Sequence, residues 1–401
     1  MKIAIYHDLP SGGAKRTLFE TVNRLVEKHQ IDVYTLSCAN HSFADLRPYV
    51  AHHHIYEFSP IRLLDSPFGR FNPAIRLANL VRLRTLTKAI ARTIEEGNYD
   101  IAYIQPCQFE NTPSVLRFLQ ELPAIYYCQE QLRLLYEPMP VRPYDQQESI
   151  KRRVLNRIDP LPFVYRNTLR ITDQKNIHCA TMVLVNSEFT REGVNRIYQK
   201  EARVSYLGVN TQFFKPLRIK KQHMVLSVGS LTPLKGFDFL IQVMSRIPKD
   251  QRPLLMIACN FQNPPERDYL EGLARSLGVN IKILVNVSDE DLVTLYNQAK
   301  VVVYTPIREP FGLVPLESLS CETPVIAVKE GGIIESIVHQ KTGLLLERDP
   351  EQFSEAVVCL LSNPALAKEY GKNGREDISR NWTWEKATAN LERYMISCSQ
   401  K

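Results

Sequence analysis

Short apolar runs alternate with longer stretches of helical period along this chain. In the first half the runs fall at 2–8 (KIAIYHD), 31–39, 55–58, 101–106, 124–129 and 181–188. Several are continuous in Val, Ile and Tyr rather than alternating with polar residues, the pattern of strands buried on both faces of a parallel sheet. Segments of helical spacing, such as 14–28 and 74–96, lie between them. The cycle then restarts, with runs at 224–230, 254–260, 281–287, 301–306, 324–330 and 343–347. Strand–helix alternation implies βαβ units, and two such series imply an α/β protein of two doubly wound, Rossmann-like domains. The length of 401 residues also exceeds what one core ordinarily serves. The join falls in "YLGVNTQFFKPLRIKKQH" (206–223), which carries a Gly, a Pro and a basic polar run. The expected division is 1–207, 208–380 and a closing helix over 381–401, with Trp382 and Trp384 packing that helix down.

Composition narrows the class. Hydrophobic residues at 44% and charged residues at 23% are those of an ordinary globular protein. No apolar run reaches the roughly 18–20 residues that span a bilayer. The chain starts on a strand-like run with no leader pattern, so a cytoplasmic location is expected. The 8 cysteines include no C-x-x-C pair, which favours reduced, mostly buried thiols over a metal cluster. The triple His52–His53–His54 reads as residues alternating in and out of a strand. Net charge is +7 and uneven. Most of the N-terminal surplus lies in 61–92, where Arg62, Arg70, Arg76, Arg82, Arg84, Lys88 and Arg92 face Asp65 alone. Such a local excess bears on a partner rather than on the fold.

In open α/β sheets ligands bind beyond the carboxyl ends of the strands, so the residues that follow each strand are the candidates. After the first strand, Gly12 and Gly13 precede a helix starting near Ala14. Backbone N–H groups at such a turn suit a phosphate or sugar oxygen, although a plain tight turn looks the same. The spacing is neither G-x-G-x-x-G nor a Walker loop, which argues against a dinucleotide fold or P-loop. After 224–230 comes "GSLTPLKGFDFLI", in which Lys235 could lie over a diphosphate. After 301–306 comes "REPFGLVPLESLSCETPVIAVKEGG". Glu309 falls in the loop, and Glu317 in the first turn of a helix beginning near Pro315. An acid in a first turn can be mere start chemistry. It can equally fork onto two vicinal hydroxyls, with Glu309 on a further sugar hydroxyl and the backbone of Phe311, Gly312, Leu313 and Val314 facing the same ligand.

This stretch resembles the signature of the retaining glycosyltransferases of family 4, with Glu309 and Glu317 matching the family's E-x7-E pair. "GGA" at 12–14, "VNSEFTREGVNRIY", "VSYLGVNTQFF", "VSDEDLVTLYNQAKVVVYTP", "HQKTGLLLERDPEQFSEAV" and "WTWEKATANLERY" are similar to further stretches of that family. The resemblance implies the GT-B fold, two Rossmann-like domains facing a cleft, with the last helix returning to the first domain. It implies a nucleotide-diphosphate sugar as donor substrate and no cofactor or metal. Glu317 would bind ribose and Glu309 the donor sugar, while Lys235, Gly12 and Gly13 would hold the diphosphate. A hexose would pass to an acceptor hydroxyl with retention. Three positions depart from the family pattern. Ser230 stands where an Arg is usual, Gln129 where a His is frequent, and Pro310 lies between Glu309 and Phe311. Arg133, or Lys15 and Arg16, could restore the lost charge. Gln129 and Arg133 would then stand on the acceptor side. A binding-only partner subunit with a weakened diphosphate site is the alternative.

Arg84, Lys88 and Arg92 recur at i, i+4 and i+8 of a helix beginning near Pro73, beside an apolar stripe of Leu83, Leu86, Ile90 and Ile94. A solvated face is one reading of this ridge. Peripheral contact with an anionic membrane, near a lipid-linked acceptor, is the other. Nucleic acid is not expected, because no aromatic residues interleave the charge.

Overall fold

A computed structural model describes residues 1–65, 68–146 and 159–400. The chain forms two compact units. The first holds Met1–Pro138, Gln147–Ser205 and Ala387–Lys401; the second holds Met139–Gln146 and Tyr206–Lys386.

The sheet of the first unit runs through β1 (Lys2–His7), β2 (Gln30–Leu36), β3 (His52–Tyr56), β4 (Ile101–Ile104), β5 (Ala124–Cys128), β6 (Met182–Val185) and β7 (Ala202–Val204). Its order is β3-β2-β1-β4-β5-β6-β7, with parallel pairing throughout. The continuous apolar runs are the central strands: Ile3, Ile5, Ile101, Ile104 and Ile125 have no exposed surface. Helices pack over them, among them Asn72–Glu96, which buries Leu83, Ile90 and Ile94. At the edge, β3 starts on the histidines themselves. His54 stacks on Tyr34 at 4.6 Å and His52 Nδ1 lies 3.0 Å from Asp32, while His53 meets His41 instead. Among the described residues no group of three potential metal ligands forms there or elsewhere. The three-residue β7 has too short a pattern to be seen in the sequence.

The second unit repeats the plan. Its strands are β8 (Met224–Val228), β9 (Leu254–Cys259), β10 (Ile281–Val285), β11 (Val301–Tyr304), β12 (Val325–Val328) and β13 (Gly343–Leu346), in the order β10-β9-β8-β11-β12-β13 and parallel. In each sheet the winding direction reverses once, between β1 and β4 and between β8 and β11. The crevice at such a reversal is where these sheets bind ligands.

Two short segments belong to a unit that is distant in sequence. Met139–Gln146 packs with the second unit, although the sequence division assigned it to the first. Arg142 is buried there, donating to Asp238 at 2.7 Å and to Glu266 at 2.9 and 3.0 Å. Tyr144 adds its hydroxyl to Glu266 at 2.7 Å. From Ala387 onward the last helix, Trp384–Ser399, packs with the first unit. Glu392 takes Lys28 at 3.1 Å and His29 at 3.0 Å. Trp384 is buried at the start of that helix. Trp382 packs elsewhere, on Tyr206 at 5.1 Å and Phe311 at 5.7 Å. No described helix is long and apolar enough to cross a membrane.

Candidate functional site

At the reversal in the second sheet, the loops after β8 and β11 meet. Lys235 Nζ lies 2.8 Å from both carboxylate oxygens of Glu309. Local backbone fixes this pair from both sides. Lys235 ends a short 3-10 turn, Pro233–Lys235, capped by Gly236 at φ 66°. A Cβ on Gly236 would fall 2.2 Å from the Thr305 carbonyl oxygen. Only glycine therefore lets the two loops approach, and Thr305 Oγ1 donates to the Gly236 carbonyl at 3.1 Å. On the other side Gly331, at φ 70°, lies against Glu309, where a Cβ would sit 2.4 Å from the Glu309 carbonyl oxygen. Gly332 N donates to that oxygen at 2.8 Å. Arg348, which follows β13, donates to the carbonyls of Thr305 at 3.0 Å and Pro306 at 2.9 Å and pairs with Glu330. It is a positioning residue that the sequence reading missed.

Glu317 is placed differently from expectation. Gly312, at φ 95°, lets the helix begin at Leu313, so Leu313–Ser320 carries Glu317 in its second turn, with Pro315 inside the first. Start chemistry thus does not account for Glu317. It is 7% exposed and accepts from the Tyr296 hydroxyl at 2.7 Å. Burial, and then the Glu317 charge, push the Tyr296 phenol well above its usual range, so it remains a donor. Phe311 is buried against Tyr206 and Trp382. Ser230 directs its hydroxyl to Thr232 at 3.5 Å.

The first unit has its own polar cluster at its reversal. Gly12, at φ 145°, precedes the helix Gly13–Leu25. Lys15, in the first turn, is 1% exposed with Nζ 3.1 Å from His7 Nε2. Burial lowers the Lys15 ammonium to about 8, and burial with the Lys15 charge holds His7 well below its usual range. Gln129 donates its amide to Gln105 Oε1 at 3.2 Å and to the Ala14 carbonyl at 3.5 Å. The Gln105 amide nitrogen, fully buried, makes no hydrogen bond. Lys15 was a candidate for the lost charge, but His7 and Gln105 had no place in the expected site, because only the sheet order brings the ends of β1, β4 and β5 together. Arg133 is 8% exposed and its guanidinium pairs with Glu130, so its charge is answered locally.

The basic ridge is exposed at Arg84, Lys88 and Arg92, but Arg92 Nε donates to Glu96 at 2.8 Å. Glu95, Glu96 and Glu121 line the open cavity beside Lys88 and Arg92. Exposed apolar residues lie earlier in the basic segment, at Leu63, Leu64, Phe68, Phe71 and Val81.

Residues 209–377 match the family model for glycosyl transferases group 1. This stretch is similar to the group 1 glycosyl transferases. It contains Ser230, Lys235, Glu309, Glu317 and Arg348. Solved structures of the same two-unit α/β architecture extend the likeness over the chain. Sucrose-phosphate synthase of Thermosynechococcus elongatus has a TM-score of 0.73 at 20% identity, covering 99% of this chain and 98% of its own. Anabaena HepE in complex with UDP-glucose has a TM-score of 0.70 at 17% identity, covering 99% and 100%. The fold is therefore that of the GT-B glycosyltransferases. Among curated relatives, the alpha-1,3/1,6-mannosyltransferase ALG2 of Homo sapiens is 29% identical over 58% of this chain and 62% of its own length. An uncharacterized glycosyltransferase of Methanocaldococcus jannaschii is 34% identical over 55% and 63%. The match thus spans less than two thirds of those relatives. ALG2 of Rhizomucor pusillus aligns over 99% of this chain and 91% of its own at 22% identity.

Proposed function

We propose that the chain is a retaining glycosyltransferase that moves a hexose from a nucleotide-diphosphate sugar to a hydroxyl of a lipid-linked or polysaccharide glycan. The observation that carries this reading is the Lys235–Glu309 pair at the reversal of the second sheet, with Glu317 buried on the helix that follows Glu309. The mannosyltransferase relatives and the UDP-glucose held by HepE support the donor class.

In this reading Glu317, oriented by Tyr296, accepts two ribose hydroxyls. Lys235 lies along the diphosphate and neutralises the charge that builds on it as the bond to the anomeric carbon breaks. Glu309 fixes the ammonium and receives a hydroxyl of the donor sugar. The acceptor oxygen bonds to the anomeric carbon on the face the diphosphate leaves, and its proton passes to a departing phosphate oxygen. Positioning and charge neutralisation do the work, with Lys235 in the role a metal ion fills in other transferases. Acceptors carried on a membrane would be reached through the exposed Leu63, Leu64, Phe68 and Phe71 beside Arg62 and Arg70, rather than through the Arg84–Lys88–Arg92 ridge.

The test is a thermal-shift panel of UDP, GDP, UDP-glucose and GDP-mannose. A nucleotide at about 100 times its dissociation constant stabilises by roughly 2.7 kcal/mol. No shift with any of them would overturn the reading. Donor binding without transfer would favour a binding-only subunit, and a product of inverted anomeric configuration would exclude retention.

A further inference from the structure

The second unit has a cavity of about 350 Å³ that is separate from the Lys235–Glu309 pair. Lys300 and Pro324, which line it, directly precede β11 and β12, and Lys221 lies just ahead of β8. The candidate site instead follows those strands. A strand of four or five residues spans roughly 13–17 Å, so the cavity opens at the opposite end of the sheet. Leu217, Ile219, Leu360, Leu361 and Ala367 form apolar walls. The lining contains no aromatic ring on which a nucleobase could stack.

Three ammonium groups border this apolar space. Lys221 Nζ donates to the carbonyls of Ala299 at 2.8 Å and Asn297 at 3.3 Å and to Thr323 Oγ1 at 2.9 Å. Those partners are neutral, so they hold the charge in place without cancelling it. Among the described residues neither Lys221, Lys300 nor Lys368 forms an ion pair; burial lowers the Lys221 ammonium to about 8, against the raising effect of Cys321 and Glu322, which also line the cavity. At the mouth Leu217 and Ile219 are 37% and 40% exposed and alternate with the basic Arg218 and Lys220. Apolar walls call for hydrocarbon, and three lysines against the single Glu322 leave a net positive rim that calls for an anion.

We propose that this cavity binds the acyl chain of an anionic lipid, with the head group among Lys221, Lys300 and Lys368. The site is independent of the glycosyltransferase reading and of the exposed apolar residues in the first unit. Its volume lies within the roughly 300–1,000 Å³ range of small-ligand pockets.

Calorimetry with monomeric dodecyl phosphate tests it on the full chain. Saturable binding is expected for the native protein, with none for inorganic phosphate, which has no chain, and weaker binding of dodecyl maltoside, which has no charge. Ala367→Trp fills the cavity, and the double variant Lys300→Glu, Lys368→Glu reverses two rim charges. Each should lose about ten-fold or more in affinity. The double variant changes only exposed or half-buried side chains, so it should melt with the native protein and keep the test decisive if Ala367→Trp fails to fold. Lys88→Glu, in the first unit, should bind dodecyl phosphate normally. Failure of the native protein to bind, equal binding of dodecyl maltoside, or undiminished affinity in the double variant would each overturn the proposal.

Discussion

Gly331→Ala is a single methyl group placed against the backbone of Glu309. The new Cβ would lie 2.4 Å from the Glu309 carbonyl oxygen and 2.8 Å from its amide nitrogen, whereas real Cβ contacts essentially never fall below 3.0 Å. The oxygen must therefore retreat by at least the difference, about 0.6 Å. Two penalties add. An L-residue at φ 70° costs about 1–2 kcal/mol, and the forced contact costs about 1–3 kcal/mol. A loss of roughly 2–5 kcal/mol lowers the melting temperature by about 4–20 °C in a domain of this size. Function should fall further than stability. Misplacing a reacting group by about 1 Å can reduce the rate about 100-fold, so a smaller shift of Glu309 and its bound Lys235 should reduce transfer about ten-fold or more at temperatures where the variant is folded. Differential scanning calorimetry and a transfer assay with saturating donor read the two effects. A variant that melts with the native protein and transfers at the native rate would refute the claim that Gly331 sets the position of Glu309.

Three further outcomes follow from the geometry. Tyr296→Phe removes the donor to buried Glu317; it should cost about 1.5–3 kcal/mol and weaken nucleotide binding about ten-fold by titration calorimetry, and native affinity would remove Tyr296 as the orienting group. Arg142→Ala leaves fully buried Glu266 without its cation, and urea denaturation should show a loss of about 3–5 kcal/mol. Asp8 is buried, and burial raises its carboxyl from 3.8 to about 6 against hydrogen bonds from Cys107 and Gln108. A raised pKa favours the neutral form, so its contribution to stability is complete below 3.8 and is lost as pH rises through 6. The rise amounts to about 3 kcal/mol. Asp8→Asn should therefore gain on the native protein between pH 4 and 7 by about that amount in urea midpoints, and equal gains at both pH values would contradict the burial argument.

The strand runs were legible because parallel strands buried on both faces leave continuous apolar stretches, and Ile3–Ile5 or Val301–Val303 say the same thing in sequence and in space. Glu309 and Lys235 in their loops, and Glu317 on the helix after Glu309, were legible as candidates. Their partners were not. Tyr296 reaches Glu317 from the preceding helix, and Arg348 reaches Thr305 from beyond β13; only the sheet order makes these pairs adjacent. The helix start was misjudged by two residues because Pro315 is a common start signal, whereas Gly312 at φ 95° starts the helix earlier. Burial was equally hidden. Nothing in "GGAKRT" indicates that Lys15 is enclosed against His7, and nothing in "EQLR" that Arg133 is enclosed with Glu130 at its guanidinium.

Neither unit is one continuous stretch of chain. The second unit borrows Met139–Gln146, pinned by Arg142, and the first is completed only by Ala387–Lys401. During synthesis the first unit would therefore leave the ribosome lacking the helix turns that meet Lys28 and His29, and would wait for the whole second unit to be made before closing. Cutting the chain at residue 206 to isolate either half would produce two incomplete bodies: a first half without its last helix and a second half whose Glu266 has lost its arginine.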